Sequence, residues 1–151
     1  MVKVLMVCLG NICRSPLAEG ILKSKVSSKS IRVDSAGTAA YHIGNLPDSR
    51  SIEVAKKHGI DISDQRARVF SVQDFVSYDF IYAMDLANYD NIIQLASNKI
   101  DRDKVKLILS ELKEGEGLEV PDPYYGGEDG FENVFQMLDK SCEIIAKKIT
   151  K

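Results

Sequence analysis

The sequence predicts an α/β fold that is built from parallel βαβ units. Apolar runs typical of buried strands alternate with helical patterns along the chain, and this alternation favours a parallel sheet. A chain of 151 residues with 44% apolar composition is expected to form a single domain with a full core. The clearest helical signal closes the chain, where apolar residues recur at spacings of three and four: Phe131, Val134, Phe135, Leu138, Cys142, Ile145 and Ile149.

Four strands are predicted from short apolar runs. The first spans residues 2–7, a run with one polar residue, and the second spans residues 31–34. The third covers residues 80–83. The fourth covers residues 104–109.

Helix signals separate these strands. Ser15 and Pro16 are typical of an N-cap followed by the first helical position, and we expect the first helix to run to about residue 26. Pro47 and Asp48 open a second helix that Gly59 ends. Residues 71–74 indicate a further helix start, before the third strand.

Composition excludes several classes of partner. A net charge of −2 gives no electrostatic footprint for nucleic acid or an anionic membrane. No apolar stretch approaches a membrane span of about 20 residues, and the apolar N-terminus is too short for a signal peptide. Three cysteines without an export signal indicate free thiols in a reducing compartment. We therefore expect a cytoplasmic protein, and take a monomer as the default state.

The most informative segment joins the first strand to the first helix, at residues 8–15 (CLGNICRS). The chain must turn sharply here, so that backbone N–H groups converge at the positive end of the helix dipole. Gly10 permits a positive-φ turn, and Asn11 is one of the few other residues that tolerates one. The segment is thus predicted to be a phosphate-binding loop.

Cys8 and Arg14 give this loop its chemistry. A helix N-terminus and a neighbouring arginine lower a cysteine pKa from about 8.5 to roughly 3.5–7.5, which favours the nucleophilic thiolate. The guanidinium of Arg14 can bind two oxygens of a phosphoryl group, and the Ser15 hydroxyl could bond the thiolate. The alternative is that Cys8 and Cys13 are small core residues in an ordinary turn.

Other polar residues are expected at the same edge of the sheet. Ligands bind at the carboxyl ends of parallel strands, and there Ser35 and Asp85 follow the second and third strands. The loop over residues 114–130 follows the fourth, and Asp122 lies in it between two prolines. Such an aspartate could act as a general acid, worth about 10²–10⁴-fold in rate, although a surface turn is the alternative.

Three tyrosines are candidates for the walls of the site. Tyr124 and Tyr125 follow Asp122, and Tyr41 approaches from another loop. Together they could form an apolar slot deep enough for an aryl phosphate to reach Cys8, for which a phosphoserine is too short. They could instead be packing anchors.

Four further segments carry a family resemblance together with the loop: residues 34–38 (DSAGT), 41–45 (YHIGN), 82–85 (YAMD) and 122–125 (DPYY). On these motifs the chain resembles the low-molecular-weight protein tyrosine phosphatases over nearly its full length, 1–151. The resemblance implies an α/β fold with a single four-stranded parallel sheet and helices on both faces. It also implies a cysteinyl-phosphate intermediate, no metal and no cofactor, with inorganic phosphate as product and phosphotyrosine proteins or small aryl phosphates as substrates.

The resemblance also implies residue roles. Cys8 is the nucleophile, Arg14 binds phosphate and Asp122 is the acid. Asn11 and Ser35 shape the loop through hydrogen bonds, Asp85 is a structural carboxylate near its base, and the residue after Tyr41, here His42, contributes to specificity. Cys13 can pair reversibly with Cys8. The expected substrate-binding residues are Leu9, Gly10, Asn11, Ile12, Cys13, Ser15, Tyr41, Tyr124 and Tyr125.

Three alternatives remain at this point. Thioredoxin-linked arsenate reductases share the fold and a similar loop, but they need two further cysteines near the third strand, and residues 83–97 contain none. A phosphotyrosine-binding module without catalysis would not need Cys8, Arg14 and Asp122 together. A zinc site is disfavoured because the cysteines and histidines lack paired spacings.

Overall fold

A four-stranded parallel sheet forms the centre of the protein, in a computed structural model that describes residues 1–112, 119–123 and 129–150. The strands are β1 (Val2–Cys8), β2 (Ile31–Gly37), β3 (Phe80–Ala83) and β4 (Val105–Leu107). Their order is β2-β1-β3-β4, and every neighbouring pair is parallel. The predicted single α/β domain with four parallel strands is confirmed.

The helices connect these strands, and a 3₁₀ turn at Ile108–Glu111 follows β4. Their bounds are α1 (Arg14–Lys25), α2 (Ser49–Lys57), α3 (Gln73–Ser77), α4 (Leu86–Ile93), α5 (Lys99–Asp103) and α6 (Gly130–Ile149).

The core lies on both faces of the sheet because side chains of β1 alternate between them. Val4 and Met6 point to one face, where they join a cluster formed with α1 and α6. Leu5 and Val7 point to the other, toward α3 and α4. All four side chains are fully buried. The expectation of helices on both faces is therefore confirmed.

The long helix α6 has the predicted apolar stripe, and it packs against α1. Cys142 lies on this stripe, is fully buried and has its pKa raised by burial. Cys142 is thus a core residue. None of the helices in the described part of the chain combines the length and apolar character needed to cross a membrane.

Three predicted boundaries are wrong. The first helix begins at Arg14, before Ser15. Strand β2 continues three residues past the predicted end, since it pairs with β1 along its whole length and Gly37 bridges to Val69. Strand β4 has three residues, and the chain turns into the 3₁₀ segment where the sequence predicts more strand.

Candidate active site

The loop between β1 and α1 adopts the sharp turn that the sequence predicts. Cys8 is the last residue of β1, and α1 begins six residues later at Arg14. Asn11 has φ 59°, the one positive φ of a non-glycine residue in the described ranges, whereas Gly10 does not adopt the positive φ that the sequence suggested. The backbone N–H of Asn11 donates to Cys8 Sγ at 3.3 Å. The left-handed turn thus points a backbone amide at the sulfur.

Contacts outside the loop hold it in place. The carbonyl groups of Cys8 and Leu9 accept hydrogen bonds from Thr38 N at 2.9 Å and Ala39 N at 3.0 Å. Gly37 allows this close approach, because a Cβ there would lie 2.7 Å from the carbonyl oxygen of Leu9. With carbonyls bonded outward, the loop can direct its amides toward an anion.

Ser15 contacts the sulfur instead of capping the helix. The cap position is Cys13, whose side chain makes no capping bond, so the N-cap prediction for Ser15 is wrong. Ser15 Oγ lies 3.0 Å from Cys8 Sγ and accepts a hydrogen bond from Asn11 Nδ2 at 2.8 Å. Because Asn11 supplies that hydrogen, the Ser15 hydroxyl keeps its own hydrogen for the sulfur, its other acceptor being Ala36 O at 3.5 Å.

The Asn11 amide has one orientation. Its Oδ1 accepts from the backbone N–H of Arg68 at 3.0 Å, and a backbone N–H can only donate. Asn11 Nδ2 therefore donates to Ser15 Oγ and also to Ser35 Oγ, at 2.9 Å. Ser35 lies within β2 and not after it. The structure brings together Asn11 and Ser35 as expected, and adds Arg68 and Ser15 to them.

Glu19 belongs to the same network, and the sequence analysis missed it. Ser35 Oγ donates to Glu19 Oε1 at 2.7 Å, and Lys23 Nζ donates to the other carboxylate oxygen. Burial raises the pKa of Glu19, while these two hydrogen bonds oppose the rise. The sequence signal that could have indicated this role of Glu19 is its spacing, because residues 15, 19 and 23 share one face of the helix.

Arg14 is held from behind by Asp85. The guanidinium is buried, and its Nη1 donates to Asp85 Oδ2 at 2.7 Å and to Val120 O at 3.0 Å. Asp85 also caps α4 by accepting from Asn88 N at 2.8 Å. Among the described residues Arg14 Nη2 and Nε have no acceptor, so this edge of the guanidinium is available for an anion.

A small cleft of about 90 Å³ opens above Cys8. Asp122 and Tyr41 line it, although they come from distant parts of the chain. Tyr124 and Tyr125 lie outside the described residues. The remaining lining residues are Cys8, Leu9, Gly10, Ile12, Cys13, Arg14 and His42. Among the described residues there is no group of His, Cys, Asp or Glu that could hold a metal ion.

The two cysteines of the loop differ in their surroundings. Cys13 is buried, and burial together with the charge of Asp48 raises the pKa of its thiol to about 12. Cys8 has the Ser15 hydroxyl and the Asn11 N–H as partners for its sulfur. Hydrogen-bond donors favour a charged group, so Cys8 is the better candidate for a reactive thiolate.

Comparisons with known proteins agree with this geometry. The sequence profile of the family described as low molecular weight phosphotyrosine protein phosphatase matches residues 3–151. A low molecular weight phosphotyrosine protein phosphatase of Schizosaccharomyces pombe is 43% identical, over 93% of this chain and 92% of that protein. The Homo sapiens protein of the same name is 40% identical, over 96% and 94%. The crystal structure of a protein tyrosine phosphatase from Entamoeba histolytica superposes with TM-score 0.92 at 38% identity, covering 99% of this chain and 97% of that one.

Proposed function

The chain belongs to the low molecular weight phosphotyrosine protein phosphatase family, and on that premise we propose that Cys8, Arg14 and Asp122 carry the reaction. The protein is a hydrolase of phosphoric monoesters, and its substrates are phosphoproteins or aryl phosphates. The observation that carries the residue assignment is the cleft that Cys8, Arg14 and Asp122 line together.

In the first step the Cys8 thiolate attacks phosphorus in line with the ester bond. An S–P bond forms, the bond from phosphorus to the tyrosyl oxygen breaks, and Asp122 gives its proton to that oxygen. Ser15 and the Asn11 amide face the sulfur, so they can stabilise the thiolate before attack.

In the second step water replaces the sulfur. The Asp122 carboxylate takes a proton from the water as its oxygen bonds to phosphorus, and the S–P bond breaks to regenerate the Cys8 thiolate. Arg14 and the loop amides bind the oxygens of the transferring group throughout both steps, and such preorganised donors supply the largest share of rate enhancement in most enzymes.

Substrate choice, state of assembly and location complete the proposal. The exposed ring of Tyr41 forms a wall that suits an aryl group, and we propose that Tyr124 and Tyr125 extend it. We propose that residues 1–151 act as one monomeric phosphatase domain in the cytoplasm. All three cysteines are unpaired, as a reducing compartment favours. The arsenate reductase alternative is disfavoured, since Cys142 is the one remaining thiol and is fully buried.

The test compares three reactions of the purified protein in the presence of a chelator. We expect hydrolysis of phosphotyrosine, much slower hydrolysis of phosphoserine, and no thiol oxidation on addition of arsenate. The matched control is Cys8→Ser, which should lose turnover and keep phosphate binding. Equal rates on phosphotyrosine and phosphoserine would contradict the aryl slot, and arsenate-dependent thiol oxidation would favour the reductase.

A further inference from the structure

Glu19 is a buried carboxylate in a stretch of helix whose residues are all buried. Every residue of α1 from Arg14 to Leu22 is buried, and Glu19 is 6% exposed. A charged group in such a position is unfavourable unless hydrogen bonds and an opposite charge compensate it. Ser35 and Lys23 supply both, one to each carboxylate oxygen. These two contacts offset part of the cost of burying the carboxylate and hold it in a specific place.

The helix itself sets that place. Ser15, Glu19 and Lys23 follow each other at intervals of four, so their side chains lie on one face of α1. Ser15 contacts the nucleophile, and the side chain of Lys23 is 48% exposed. Glu19 lies between them, with its charge balanced by Lys23 from the solvent side.

Four consecutive hydrogen bonds join Glu19 to the sulfur of Cys8. The distances are 2.7 Å from Ser35 to Glu19, 2.9 Å from Asn11 to Ser35, 2.8 Å from Asn11 to Ser15 and 3.0 Å between Ser15 and Cys8. The directions of the three bonds between Glu19 and Ser15 are fixed, and the Ser15 hydroxyl can donate either to the sulfur or to Ala36 O at 3.5 Å. The Asn11 amide nitrogen only donates, so the single proton of Ser35 goes to Glu19 and that of Ser15 is free for the sulfur.

We propose that Glu19 is a positioning residue for Cys8, because its carboxylate holds Ser35 as an acceptor for Asn11 and so keeps Asn11 and Ser15 aimed at the sulfur. This inference rests on the proposed function in one respect, that Cys8 is the nucleophile. It adds a remote anchor for both hydrogen-bond donors that face the nucleophile.

The turn at Asn11 makes the anchor necessary. A left-handed conformation is unfavourable for a residue other than glycine unless its surroundings hold it. Without Glu19 the Ser35 hydroxyl loses its acceptor and can turn its proton toward Asn11, which disrupts the amide's position. The Asn11 backbone N–H and the Ser15 hydroxyl would then lose their alignment with Cys8 together.

The test measures the reactivity of Cys8 directly. Iodoacetamide alkylation of Cys8 is followed by mass spectrometry as a function of pH in the wild type, Glu19→Ala and Glu19→Gln. We expect Glu19→Ala to move the alkylation midpoint upward by about one pH unit and to lower kcat on an aryl phosphate about tenfold. Glu19→Gln retains an acceptor oxygen for Ser35 and should remain within about threefold of the wild type.

The matched control is Ser141→Ala. Ser141 is fully buried on α6, and its hydroxyl bonds to Met137 O at 3.1 Å, so its removal perturbs a buried polar group outside the network. It should leave the alkylation profile unchanged. If Glu19→Ala changes only the urea midpoint, as a structural residue would, the proposal is overturned. A Glu19→Gln variant as impaired as Glu19→Ala also overturns it, because the acceptor oxygen would then not matter.

A double variant tests the route. The double variant combines Glu19→Ala with Ser15→Ala. If Glu19 acts through Asn11 and Ser15, the fold reduction of kcat in the double variant should be smaller than the product of the fold reductions in the two single variants. A reduction equal to that product would contradict the proposal that Glu19 acts through these two residues. Should Glu19→Ala fail to fold, Ser35→Ala cuts the network one bond later and carries the same expectations. Alkylation of Cys8 needs no phosphate ester, so the alkylation profile can be measured and interpreted even if the protein shows no phosphatase activity.

Discussion

Replacing Asp85 by alanine tests how the fold holds the Arg14 guanidinium, which we propose binds phosphate. The side chains of Arg14 and Asp85 are 6% and 19% exposed, and 2.7 Å separates Nη1 from Oδ2. Breaking a buried pair costs about 3–5 kcal/mol, but Asp85 is partly exposed and Val120 O keeps one bond to Nη1, so we expect about 2–3 kcal/mol. Loss of the cap on α4 adds about 1 kcal/mol, which gives about 3–4 kcal/mol in urea unfolding.

Asn98→Ala is the control for the cap. Asn98 caps α5 by accepting from Asp101 N at 2.8 Å, in an exposed position, so its loss should cost about 1 kcal/mol. Phosphate should bind about tenfold more weakly to Asp85→Ala, a loss of about 1.4 kcal/mol, and equally well to Asn98→Ala. Equal stability losses in the two variants, with unchanged phosphate affinity in both, would refute the positioning of Arg14 by Asp85.

Three more predictions concern the acid, the stability at low pH and oxidation. Asp122→Ala should slow hydrolysis most for substrates with poor leaving groups, since good ones need little protonation; equal losses across a leaving-group series would contradict the acid role. Hydrogen bonds, foremost from Gln136, lower the pKa of Glu132 from 4.5 to about 2. A carboxyl whose pKa is lowered by folding stabilises the protein at pH values above the pKa that it has in the unfolded chain. Glu132→Gln lacks this stabilisation at neutral pH. The wild type should lose it as the pH falls from 4.5 toward 2, measured by urea midpoints. Peroxide should join Cys8 to Cys13 reversibly, and mass spectrometry that finds only sulfonic acid on Cys8 would refute this.

The sequence was most informative where a pattern has a local cause. Alternating apolar runs predict the parallel sheet, and the spacing in α6 predicts its buried stripe, because each residue's burial follows from its own element. The turn of the loop was predictable for the same reason, since asparagine tolerates the positive φ that Asn11 adopts. The helix start was not, because α1 begins at Arg14, before Pro16. The start of α2 was predictable, and there Asp48 accepts from Arg50 N as an N-cap should.

Long-range contacts explain what the sequence could not give. Strand β2 extends to Gly37 because β1 pairs with it that far. This pairing depends on β1 and cannot be predicted from the residues of β2 alone. Serine is a residue type that commonly caps helices, yet the Ser15 hydroxyl contacts Asn11 and Cys8 instead. Glu19 would be read as a solvent-facing charge until Ser35 is placed beside it, 16 residues away along the chain.

Trapping the covalent intermediate tests the central claim most directly. The protein is mixed with a radiolabelled aryl phosphate, quenched in acid within milliseconds and digested, with Cys8→Ser as the control. We predict one labelled peptide that carries phosphate on Cys8, formed and consumed at rates consistent with turnover, and no label in the control. Turnover without label on Cys8, or label that persists in Cys8→Ser, would contradict the account.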